Sequence, residues 1–155
     1  MISIFSKIWD RTLYSFRELL LYHHDSIEFR AKIFALIIGA NSKNSECEFD
    51  VLSSISRDIY PESSHRQHTL ILIAREYIEK IKLPNGLGID ELIVDIENSL
   101  KHKNRFVEKI SLEYLHRFLR CSRDRDNRIY QERIIDFLTT LKREYEVLTP
   151  IGGNF

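Results

Sequence analysis

The chain has 155 residues, 43% of them hydrophobic and 30% charged, which suits one domain with a real core and excludes a disordered chain. Lys+Arg and Asp+Glu number 23 each, so no global field favours nucleic acid or anionic lipid. With only 5 Gly and 3 Pro, all but Gly39 clustered at Pro61, 83–88 and 150–153, the segments between them are long and read as helices.

Seven helices follow from apolar spacings of three and four. The first, over about 3–23, aligns Phe5, Ile8, Trp9, Leu13, Phe16, Leu19 and Leu20. Lys7, Asp10, Arg11, Arg17 and Glu18 interrupt it, so it reads as one amphipathic face and not as a signal peptide or a membrane span. Residues 1–24 are therefore taken as an amphipathic unit whose stripe, Phe5, Ile8, Trp9, Phe16 and Leu20, has three outlets: the chain's own bundle, a second copy or other protein partner, or a peripheral membrane contact.

The second helix, about 26–40, is apolar almost all round and is expected at the centre of the fold, with Ser26 as its cap and Glu28 in its first turn. The third, about 46–60, stops before Pro61, which disfavours helical geometry in the residue preceding it. Helices follow at about 63–82, 89–101, 104–121 and 128–146, the last with Asn127 as its expected cap. No segment alternates with period two, so the fold class is all-α, one bundle over 25–146 with a tail at 147–155.

Two helix–turn–helix units repeat one pattern at an offset of 83 residues. Phe29 falls on Leu112, Leu36 on Leu119, Asn41 on Asp124, Val51 on Ile134, Leu52 on Ile135 and Ile55 on Leu138. The second turn holds Asp124 and Asp126, with Glu132 at the start of the next helix, oxygen ligands of the kind a hard cation takes. Arg123, Arg125 and Arg128 interleave with these acids, so a salt-linked turn is the simpler expectation. No cofactor is expected beyond a divalent cation there. His65 and His68 read as a solvated helix start, and His116 as a hydrogen-bonded histidine at the core edge. Lys101, Lys103, Arg105, Arg117, Arg120, Arg123 and Arg125 form a basic stretch, diluted by Glu108 and Glu113, that offers the alternative of a nucleic-acid-binding regulator. Cys47 and Cys121 stand at no metal or redox spacing, and free thiols in a reducing, cytoplasmic setting are expected ahead of a disulfide. No nucleophile elbow or glycine-rich phosphate loop is present, and no enzyme is expected.

The two turns are the point of resemblance to a known family. The stretch Ala40–Leu52, ANSKNSECEFDVL, and the stretch Arg123–Ile135, RDRDNRIYQERII, resemble the paired acidic turns of TerB-like domains, found in tellurite-resistance proteins and ahead of the J domain in some DnaJ-like co-chaperones. Asn41 and Ser42 stand where the family has Asp and Gly; Asp124 keeps the Asp, Arg125 replaces the Gly, and Gln131 occupies a usually acidic position. The resemblance spans about 26–145 and implies an all-helical stress-response interaction or scaffold module. It also implies a divalent-metal role for Asp124, with Glu48 and Glu132 as partners.

Overall fold

The computed structural model describes residues 25–41, 46–82 and 88–148, which form helices joined by short turns and connections, with no strand among them. Six α-helices follow in order: α1 Asp25–Gly39, α2 Glu46–Ile59, α3 Ser64–Lys82, α4 Ile89–His102, α5 Leu112–Arg117 and α6 Arg125–Leu148. Two 3-10 segments, Asn104–Lys109 and Phe118–Cys121, flank α5. The amphipathic stretch with Phe5, Ile8, Trp9, Phe16 and Leu20 lies outside the described residues.

α1 occupies the centre because it is apolar almost all round beyond its first two turns: Ile27, Phe29 and the whole run Ala31–Ile38 are buried, Lys32 among them through its pairing with Asp95. Burying a Leu, Ile or Phe side chain is worth about 1.5–3 kcal/mol, so this helix alone organises much of the core. It ends where Gly39 gives way to Ala40 and Asn41, whose backbone N–H groups donate to the carbonyls of Leu36 and Ile38. α3 packs closely along it; a methyl group on Gly39 would stand 3.1 Å from Ile81 Cδ1, so glycine permits that approach. α2 closes before Pro61, and the Ser63 hydroxyl accepts from Arg66 N to cap α3.

The stretch expected as one helix over 104–121 is instead broken. Ile110 and Ser111 are extended, and Ser111 Oγ accepts from Tyr114 N, starting α5 afresh. The Ile110 carbonyl freed by the break accepts from Lys142 Nζ at 2.6 Å, so the interruption leaves no orphaned acceptor there. Phe106 and Phe118, on either side of α5, still reach α1: Phe29 stacks on Phe106 with centroids 5.2 Å apart, and Phe34 meets Phe118 at 6.0 Å. α1 also starts one residue before the expected Ser26 cap, and α6 starts at Arg125, two residues before Asn127. Asp124 takes the capping role: its carboxylate accepts from Asp126 N at 3.0 Å and from the Asn127 side chain at 3.4 Å. Within the tail, Val147 and Leu148 extend α6 and are exposed.

A candidate site at the junction of the two turns

The turn that closes α1 and the turn that opens α6 meet over a buried polar cluster. Glu48, in the first turn of α2, and Gln131, on the second turn of α6, are both 0% exposed, and Asn41 at the end of α1 is buried beside them. Asn41 Nδ2 donates to Glu48 Oε1 at 2.7 Å. Gln131 Nε2 donates across the fold to the Ile37 carbonyl at 3.0 Å, capping one of the last carbonyls of α1 with a side chain from α6. Glu48 Oε2 and Gln131 Oε1 are buried without a hydrogen-bond partner.

Burial disfavours the charged form of Glu48 and pushes its pKa up to about 7, against the smaller opposing effects of the Asn41 amide, the Lys82 charge and the Gln131 amide. A carboxylate in the first turn of a helix would ordinarily be held ionised by the helix dipole. Here desolvation wins, because the group has been drawn into the core rather than left on the surface.

Above this cluster lies a cavity of about 760 Å³, lined by Asn41, Glu46, Cys47, Arg120, Cys121, Arg123, Asp124 and Asn127. Cys47 and Cys121 are joined by a disulfide across 74 residues, with Cα atoms 5.6 Å apart. The expectation of free thiols is therefore corrected. Spacing along the chain carried no sign of the pairing, because it is the packing of α2 against the segment Phe118–Cys121 that brings the two residues together. The bridge also removes the argument for a reducing compartment that rested on free thiols.

The acidic residues singled out in the sequence do not converge. Asp124, Asp126 and Glu132 are all exposed; Asp124 is engaged in capping α6, and Glu132 pairs with Arg128 at 3.2 Å. Among the described residues no group of three His, Cys, Asp or Glu side chains is placed to hold a metal ion. The basic stretch is divided. Arg117 bridges Asp58 at 2.8 Å and Glu113 at 3.1 Å, and those two carboxylates hold its guanidinium pKa above the usual value. Lys103 pairs with Asp25, whereas Arg120 and Arg123 face the cavity. His65 and His68 are exposed on α3 as expected, but His116 is exposed on α5 and not at the core edge.

A second polar group lies between α1 and α4, where a cavity of about 320 Å³ is bordered by Glu28, Lys32, Asp95 and Lys103. Lys32 pairs with Asp95 at 2.8 Å, and the Tyr77 hydroxyl donates to the Glu28 carboxylate. These contacts tie α1 to α3 and α4, and sequence spacing gave no indication of them because the partners are far apart in the chain. No helix among the described residues is long and apolar enough to cross a membrane. Compared with known protein families, with curated proteins and with solved structures, the chain matches none.

Proposed function

We propose that this chain is a non-enzymatic helical interaction module of TerB-like type, built from two copies of one helix–turn–helix unit, that engages a protein partner at the junction of its two turns. The observation that carries this reading is the meeting of the repeated positions. Asn41 and Asp124, 83 residues apart, border one cavity, and Glu48 and Gln131, also 83 apart, are buried beside Asn41 and at α1's end. Positions that repeat along a chain and converge in space are what a duplicated unit sharing one binding junction requires. The units have diverged: the first helix of the first copy is continuous, and that of the second is broken at Ile110–Ser111. The cavity's charged lining is Arg120 and Arg123 against Glu46 and Asp124; the two acids stand at the starts of α2 and α6, where they offset the helix dipoles, so the two guanidinium groups are left to favour an acidic partner segment.

A photo-crosslinking residue placed at position 123, inside the cavity, is compared with one at exposed position 94 on α4. The reading expects discrete adducts from position 123 that are absent from position 94 and are lost when Arg120 is replaced by Glu. Identical adducts from both positions, or none from 123, would refute it. A salt-dependent mobility shift of DNA that requires Arg120 and Arg123 would instead favour a nucleic-acid-binding regulator.

A further inference from the structure

The Cys47–Cys121 disulfide is placed unlike a bridge that only staples a core. It lines the open cavity at the turn junction, and its two cysteines differ in burial and in helical setting. Cys121 is 8% exposed, whereas Cys47 is half-buried at the second residue of the fourteen-residue helix α2. Access decides which sulfur of a disulfide is attacked and selects Cys47; the helix dipole, which stabilises a thiolate at a helix N-terminus, acts later, when Cys47 is itself the leaving group. The surroundings favour an anion on the approaching thiol. Arg120 and Arg123 border the cavity, and neither forms an ion pair among the described residues. Of the cavity's two acids, Asp124 is engaged at the start of α6 and Glu46 is at the first position of α2.

We propose that Cys47–Cys121 is a thiol-exchange site, at which a small anionic thiol forms a mixed disulfide with Cys47. In the forward step the thiolate sulfur bonds to Cys47 Sγ as the Cys47–Cys121 bond breaks, and Cys121 leaves as a thiolate that takes a proton from water. A second small thiolate then attacks the small-molecule sulfur of the mixed disulfide, releasing a symmetrical small disulfide and the Cys47 thiolate. In balance, two small thiols are oxidised and one protein disulfide is reduced to two thiols. The same small disulfide drives the reverse path. The consequence for the fold is local: exchange unties the start of α2, next to the buried Asn41–Glu48 pair, from the end of the Phe118–Cys121 segment. The site needs no protein partner in the cavity, so it stands or falls separately from the interaction reading.

The test uses the full chain with its bridge formed, incubated with reduced glutathione (an anionic thiol) or cysteamine (a cationic one) at equal thiolate concentration. Intact mass and peptide mapping follow the adduct. The expected result is a mixed disulfide on Cys47, formed by the folded protein, with glutathione faster than cysteamine by roughly five-fold at low salt, the scale of one or two charges acting across water. That preference should vanish at high salt and reverse in favour of cysteamine in the R120E/R123E variant, whose replaced side chains are on the surface. A C121S variant treated with glutathione disulfide should hold the adduct on Cys47; should that variant not fold, iodoacetamide trapping of partly reduced wild-type protein reads out the same attack site. A bridge that reacts only after denaturation, an adduct on Cys121, or cysteamine reacting as fast as glutathione would each overturn the proposal.

Discussion

Replacing Glu48 with Gln should change how stability depends on pH, and should do so in a direction opposite to ordinary acid unfolding. Glu48 titrates at 4.5 when exposed and at about 7 in the fold, so between those values the folded protein holds a proton that the unfolded chain has lost. The contribution of the neutral acid is fully present below pH 4.5 and is lost progressively as pH rises to about 7. A window of 4.5 to about 7 at about 1.4 kcal/mol per unit sets an upper limit of about 3 kcal/mol, and screening by solvent in the adjoining cavity brings the expectation to about 1–3 kcal/mol. Gln has nearly the same shape, and its amide oxygen can still accept from Asn41 Nδ2, so the substitution isolates the charge. Urea unfolding of both proteins with the disulfide intact, at pH 5, 6, 7 and 8, gives the difference free of every other titrating group. Wild type should lose stability relative to E48Q as pH rises through this range, leaving E48Q the more stable at pH 8. A difference that stays flat, or one that grows in favour of wild type, would show that Glu48 is ionised and solvated in the fold.

The core makes unequal demands on Leu36 and Leu119, which the 83-residue offset pairs in the sequence. Leu36 is fully buried and L36A should cost about 2–5 kcal/mol, whereas Leu119 is only half-buried and L119A should cost less than half of that, both measured by chemical denaturation. Equal losses would mean that the end of the Phe118–Cys121 segment is packed more deeply than described. Opening the bridge by C121S removes a constraint across 74 residues, worth about 4 kcal/mol as chain entropy, and should lower the melting temperature of the oxidised protein with little change in helical circular dichroism. An unchanged melting temperature would show that the bridge is not formed in solution. Calcium, magnesium, manganese and zinc should give no saturable heat and no rise in melting temperature attributable to Asp124, Asp126 and Glu132, because two of those carboxylates already have partners. A rise abolished by D126N would restore the metal reading.

Helix positions were legible wherever one local signal dominated. The apolar run Ile33–Ile38 announced the central helix, and Pro61 announced the end of α2. The break at Ile110–Ser111 had a local sign too, a serine followed three residues later by Tyr114, whose backbone N–H it accepts. That sign was outweighed by the continuous apolar spacing of Val107, Ile110, Tyr114, Leu115 and Phe118, which fits one helix as well as three short ones. Asn127 is the expected cap because a short side-chain acceptor suits that role; Asp124, which has the same kind of acceptor three residues earlier, fills it instead.

The candidate site was legible in its outline and not in its chemistry. The offset of 83 pointed to the two turns, yet exposed acids drew attention to Asp126 and Glu132 when the residues that converge are Asn41, Glu48, Gln131 and the two cysteines. Each of these looks ordinary along the chain: a neutral amide, one acid among several at a helix start, a glutamine, and cysteines with no motif. What makes them distinctive is burial and distance, which only tertiary packing sets. α1 is buried throughout Ala31–Ile38, so the carbonyls near its C-terminal end cannot turn to water, and that of Ile37 accepts from Gln131 on α6. The same closure brings the start of α2 under the turn, which removes Glu48 from solvent and sets Cys47 against Cys121. The polar cluster and the bridge thus both sit where the C-terminal half of α1 is buried, and a sequence reading that found the helix lacked the geometry of its far end.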